Sequence, residues 1–146
     1  MLERLERELM LVARHHVLTR RDSSAERLDK SAYLLLARLD SEGPMSIGQL
    51  ADAFALDTST VNRQTAALLR SGLAERVPDP EGGLARKLRI TEEGAKRLAA
   101  DREFYIAGID SVLTDWSPQD VELLSDMLAR FNRSIESREG RQWPQP

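Results

Sequence analysis

Cysteine is missing from this 146-residue chain, which excludes disulfides, thiolate zinc sites, thiol nucleophiles and thiol redox switches. Aromatic residues are scarce at 5%, so a core has to be assembled from Leu, Ala and Val. Long apolar runs are missing too. The longest, Ala32 to Ala37, falls far short of the roughly 20 residues that a membrane-crossing helix needs. The N-terminus alternates Leu with Glu and Arg and carries no signal-peptide core, so a cytoplasmic protein is expected. Net charge is small: 21 Lys and Arg face 24 Asp and Glu, for a formal charge of −3. A nucleic-acid footprint, if present, has to come from local clustering. No Gly-x-Ser-x-Gly, Walker loop, Gly-x-Gly-x-x-Gly or His-Glu-x-x-His pattern occurs, and the carboxylates are spread over helix faces. Neither enzyme chemistry nor a cofactor is expected.

What is present is a 41% apolar, 31% charged chain of single-domain length whose apolar residues recur at helical spacing. Leu2, Leu5, Leu9, Val12 and His16 lie three and four apart, and Glu3, Arg4, Glu6, Arg7 and Glu8 fill the gaps. This predicts an amphipathic helix ending near Arg21, with Asp22-Ser23-Ser24 as a connector. Asp29 can cap a second helix through Tyr33, Leu35, Leu36 and Leu39, which Gly43-Pro44 stops. Ser46-Ile47-Gly48-Gln49 fits the Ser-x-x-Gln capping box and opens a short third helix with Leu50, Ala51 and Phe54 inward. After Ala55 and Leu56 a second cap, Asp57, precedes Val61, Leu68 and Leu69. Gly72 closes this fourth helix.

Leu73 to Val77 reads as a strand, the Pro- and Gly-rich stretch Pro78 to Gly83 as a hairpin loop, and Ala85 to Ile90 as the return strand. Thr91-Glu92-Glu93 starts a long helix through Leu98, Tyr105, Ile109 and Val112 to about Thr114. Ser117-Pro118 starts the last one. Its Val121, Leu124, Leu128, Phe131 and Ile135 form a seam at spacings of three and four. The stretch 138–146 reads as a loose tail. Trp116, at the junction of the last two helices, reads as a core or interface anchor.

The fold expected is therefore mainly α with a small β-hairpin wing. Two short helices across a tight turn, followed by a basic hairpin, make a winged helix-turn-helix. At 100° per residue, Val61, Thr65 and Leu68 of the fourth helix share one side, while Ser59, Arg63, Ala66 and Arg70 lie opposite, flanked by Asn62 and Ala67. The outward side suits a major groove. Arg63 can bond guanine bidentately and Asn62 can pair with adenine, while Ser59 and Thr60 can reach bases or phosphates and Ala66 or Ala67 can approach a thymine methyl. Backbone amides at Thr58 to Thr60 are expected to hold phosphate at the helix start. Between Asp57 and Ile90 six basic residues (Arg63, Arg70, Arg76, Arg86, Lys87, Arg89) outnumber four acidic ones (Asp57, Glu75, Asp79, Glu81), so the architecture weighs more than the charge.

The region from Asp29 to Gly94, with SIGQLADAF at Ser46 to Phe54, LDTSTVNRQTAALLRSGLAER at Leu56 to Arg76, and DPEGG followed by LRITEEG, resembles the MarR family of bacterial transcriptional regulators. The flanking helices match that family's plan as well. The resemblance implies a single domain, 1–146, whose DNA-binding lobe is 29–94 and whose dimerisation helices are 1–21 and 95–137. It implies a homodimer on a pseudo-palindromic operator of double-stranded DNA, acting as a repressor that a small-molecule effector releases. One feature departs from it: the wing-tip Asp and the Arg two residues later, common in that family, are replaced by Gly82 and Leu84. Arg86, Lys87 or Arg89 is then expected to supply the minor-groove cation.

The apolar stripe Leu2, Leu5, Leu9 and Val12 and the seam Val121, Leu124, Leu128, Phe131 and Ile135 are the expected two-fold interface. His15-His16 is the one metal-like signal. Adjacent helical residues point about 100° apart and share one ion poorly, so no metal is expected. His15, Arg14 and Arg38 are instead candidates for contact with an effector between the dimer and DNA lobes. The alternatives to a DNA-binding repressor are a metal-responsive regulator and a winged-helix module that docks a protein.

Overall fold

The computed structural model describes residues 1–15 and 27–145, so His16, the expected helix end at Arg21 and the connector Asp22-Ser23-Ser24 lie outside the described residues. The order is α1 (Leu2–Arg14), α2 (Lys30–Glu42), α3 (Ile47–Phe54), α4 (Thr58–Arg70), β1 (Ala74–Val77), β2 (Lys87–Ile90), α5 (Glu92–Val112) and α6 (Pro118–Glu139). Each helix from α2 onward starts at a side-chain cap. The oxygens of Asp29, Ser46, Asp57, Thr91 and Ser117 accept from backbone N–H groups three residues on. The capping box is complete, with Gln49 N–H donating to Ser46 at 3.1 Å and Ser46 N–H donating to Gln49 at 2.9 Å.

Helix α1 stops earlier than its periodicity suggests. His15 turns to extended backbone (φ −70°, ψ 137°) while its N–H is shared between the Leu11 and Val12 carbonyls. The return strand is also shorter than expected, beginning at Lys87. It pairs antiparallel with β1, Ala74 opposite Ile90 and Val77 opposite Lys87. A backbone bridge between Met45 and Leu88, at 2.7 and 3.0 Å, ties the start of α3 to the wing.

Leu35, Leu36, Leu39, Leu50, Val61, Leu68, Leu73, Leu88 and Leu98 fill one core in which α2, α3, α4, both strands and the start of α5 meet. That core runs past Gly94, the lobe's expected limit, because Leu98 and Asp101 of α5 are buried in it. Asp101 accepts the Leu28 N–H at 2.9 Å and lies 3.6 Å from the Arg27 guanidinium, which stacks 4.0 Å from the Phe104 ring. The chain thus enters the lobe fastened to α5.

Gly94 marks the tightest approach. A Cβ there would overlap the carbonyl oxygen of Leu73, the acceptor of the Thr91 N–H. Helix propensity alone favours Ala over Gly by about 1 kcal/mol. We expect Gly94→Ala to do the opposite, lowering stability by about 2 to 4 kcal/mol as the wing and α5 are forced apart. The urea midpoint checks the sign.

Candidate nucleic-acid interface

The junction of α3 and α4 fixes the direction of the reading helix. Ala55 takes the left-handed conformation (φ 53°, ψ 41°), and the Leu56 N–H returns to the Ala51 carbonyl at 3.0 Å. A non-glycine residue there costs roughly 1 to 2 kcal/mol. The cost is met by the tight reversal that sends both helices into the same core. Val61, Thr65 and Leu68 are buried, and the Thr65 hydroxyl is satisfied by donating to the Val61 carbonyl at 2.8 Å.

The other side of α4 is open. Thr58, Ser59, Asn62, Arg63, Ala67 and Arg70 are exposed, while Thr60 and Ala66 are half-buried. Arg63 and Arg70 stand two helical turns apart, about 10 Å along the axis, and neither has a carboxylate within ion-pair distance among the described residues.

At the helix start one of the three amides expected to hold phosphate, that of Thr60, is already engaged. The Thr60 N–H already donates to Asp57 at 2.7 Å, and the Ser59 hydroxyl donates to the same carboxylate oxygen at 2.8 Å. In this arrangement Ser59 can accept a bond from a base amino group but has no proton left for a phosphate oxygen. The Asp57 cap thus takes one backbone N–H and one hydroxyl of the helix start. The Thr60 N–H, helped by the Ser59 hydroxyl, lowers the Asp57 carboxyl from 3.8 to about 2.

The three wing cations have different fates. Lys87 is sheltered, its ammonium 3.5 Å from Asp79, with both side chains largely buried. Asp79 in turn accepts the Glu81 N–H at 2.9 Å, and this bond is the chief reason its carboxyl stays below the usual range. Arg89 pairs with Glu75 across the strands. Arg86 is exposed and, among the described residues, has no acidic partner; its guanidinium donates to the Arg76 carbonyl at 3.3 Å. Arg76, whose carbonyl receives that bond, is itself exposed on β1 and was passed over as a contact in the sequence reading. Strand alternation would have placed Arg76 on the buried face with Ala74, yet Glu75 and Arg76 are both exposed, so the sequence pattern carried no signal for it. Leu84 at the tip is fully exposed.

The effector candidates separate likewise. Arg14 and His15 are exposed at the end of α1. Arg38 is buried and committed. It donates to Glu42 at 2.7 Å and to the Gln142 carbonyl at 3.1 Å, and it lies 5.1 Å from the Trp143 ring centre. The predicted loose tail is therefore docked on the lobe, because Trp143 finds both a cation and the Phe54 ring, 5.9 Å away edge to face.

A helix-turn-helix with an adjoining wing, presenting an unpaired cationic and amide-bearing helix face, defines a DNA-binding transcriptional regulator. The sequence pattern of the MarR family matches residues 28–83. The chain is 36% identical over 134 residues to the HTH-type transcriptional regulator YxaD of Bacillus subtilis (strain 168), covering 91% of this chain and 94% of that one. Among solved structures it is similar to a MarR family protein from Bacillus stearothermophilus (TM-score 0.76, 21% identity, 92% and 94% of the two chains). It is similar also to the PcaV transcriptional regulator from Streptomyces coelicolor, solved with its natural ligand (TM-score 0.61, 23% identity, 90% and 92%). The chain belongs to the MarR family of transcriptional regulators.

Two tests follow from the site. Since Asp57 is more acidic folded than unfolded, its contribution is complete above pH 4 and drains away as pH falls toward 2. Asp57→Ala is expected to be less stable at neutral pH and to lose less than wild type over that acid window, read by thermal melts at stepped pH. On the wing, Arg86→Ala is expected to weaken DNA binding and reduce the salt slope by about one. Lys87→Ala, losing an internal ion pair, should leave that slope alone. Titrations at two salt concentrations decide it.

Proposed function

We propose that the protein acts in the cytoplasm as a homodimeric, sequence-specific repressor whose two α4 helices enter successive major grooves of a pseudo-palindromic operator. The observation that carries the dimer is that α1 and α6 bury none of their residues. Leu2, Leu5, Leu9, Val12, Leu124, Leu128, Phe131 and Ile135 stay exposed in the single chain, Phe131 at 39% and Leu128 at 48%; Val121 is half-buried. Ile106, Ile109, Val112, Trp116, Leu123 and Met127 enlarge the surface beyond the two expected stripes. Exposed apolar side chains in this number are unusual on a monomer and are covered economically by a second copy related by a two-fold axis.

Specific reading is assigned to Arg63 and Asn62, with Ser59 as a hydrogen-bond acceptor, Arg70 on the flanking phosphates, and Arg86 and Arg76 on the backbone beside the wing. Lys87 and Arg89 hold the wing's shape. Release by a small molecule requires a ligand that binds the dimer more tightly off the DNA than on it. PcaV, of similar fold, was solved with its natural ligand. Here a cleft of about 560 Å³ between α2, α6 and the segment after α6, lined by Leu34, Ala129, Arg133 and Trp143, offers such a ligand a place.

A duplex selected by the wild type from a randomised pool gives the test. Arg63→Ala should weaken the preference for that duplex by about 1 to 3 kcal/mol, chiefly at the base pair it reads, while remaining a dimer. Leu128→Glu should shift the protein to monomer by light scattering and lose operator binding as well. Recovery of no duplex by the wild type would favour a protein-docking role and sink the reading.

A further inference from the structure

The segment after α6 joins two parts of the molecule that otherwise share little. Gly140, left-handed at φ 68°, ends α6 and turns the chain back toward the lobe. Arg141 Nε then donates to the Asp52 carbonyl of α3 at 2.8 Å. One residue on, the Gln142 carbonyl accepts from Arg38 of α2. Trp143 completes the contact against Phe54, the last residue of α3, with the Arg38 guanidinium over its ring. Arg38 is only 8% exposed. Without this segment it would keep Glu42 but lose a carbonyl acceptor and the ring face that covers it.

We propose that Arg141, Gln142 and Trp143 are a latch that holds α6 at a fixed angle to the helix-turn-helix and so sets the distance between the two α4 helices. The contacts fall on α3 immediately before the Ala55 turn, so movement of the latch is transmitted through one rigid reversal to α4. Because α6 carries much of the apolar surface assigned to the two-fold axis, its tilt against the lobe becomes helix separation in the dimer. The latch rests on the dimer reading above. Arg141, Gln142 and Trp143 are positioning residues that need touch no DNA.

The test uses full-length protein and three duplexes carrying the selected operator, with half-sites at their native separation of about 10 base pairs and with one base pair inserted or removed. Trp143→Ala is expected to remain dimeric and to bind the native duplex roughly tenfold more weakly. It should also lose most of its discrimination against the altered spacings. Its salt slope should match wild type, because the phosphate contacts persist. Trp143→Phe, which keeps a ring against Phe54 and Arg38, should restore the spacing preference. Arg141→Ala removes one bond at the surface and should show a smaller loss of the same kind, which keeps the test open if Trp143→Ala fails to fold. Unchanged spacing discrimination in both alanine variants of a dimeric protein overturns the latch alone. A monomeric wild type overturns the dimer and the latch together.

Discussion

Helix α4 has to satisfy two environments at once, and the rest of the molecule is arranged around that constraint. Val61, Thr65 and Leu68 are buried against the leucines of α2 and α3, burial worth about 1.5 to 3 kcal/mol for each large apolar side chain. A helix held so firmly on one side has no rotational freedom left on the other. Arg63, Asn62 and Arg70 therefore point outward as a consequence of the core. Thr65 shows how strict this is: a hydroxyl in the buried stripe is tolerated only by bonding back to its own helix.

Electrostatics then divides the basic residues into those held by a carboxylate and those that are not, among the described residues. Counting charges along the chain treats Arg86, Lys87 and Arg89 alike. In space Asp79 takes Lys87 and Glu75 takes Arg89. An ammonium held against a carboxylate in a sheltered pocket is costly to reassign to a phosphate, because its partner would be left uncompensated. The exposed Arg89 pair is weaker, in keeping with surface ion pairs in general. The small basic excess of the lobe thus shrinks to a few guanidiniums, and these lie on α4 and beside the wing.

Much of this was legible in the sequence because the signals are local. A cap three residues from its acceptor, a 3-4 apolar spacing and a Gly-Pro stop all lie within one turn of the residues they govern. Asp29, Ser46, Asp57, Thr91 and Ser117 each begin a helix as their positions suggest. What escaped the sequence depends on partners far along the chain. Trp143 reads as tail until Phe54 and Arg38, about 90 and 105 residues away in the chain, are brought to it by the fold. The Lys87–Asp79 pair needs the loop's turn at Gly82 (φ 82°) before the two can meet.

The two terminal helices pose a different problem from the lobe. Within the lobe each apolar stripe has a partner in the same chain, whereas α1 and α6 are amphipathic with no buried residue to show for it. Covering those faces with a second copy has a mechanical consequence as well as an energetic one. A recognition helix is then located by two joints in series, the two-fold interface and the connection from α6 to the lobe. An interface can fix α6 against its counterpart, but it leaves open how the lobe hangs from α6. The long helix α5 constrains that through Leu98 and Asp101 at one end. The contacts of Arg141 to Trp143 constrain it at the other. With only one of these attachments the lobe could pivot; in the dimer proposed above, with both, a small displacement at either would be taken up as a change in the distance between the two α4 helices. DNA of fixed helical repeat is sensitive to that distance, so a protein of this build can be regulated far from any residue that reads a base.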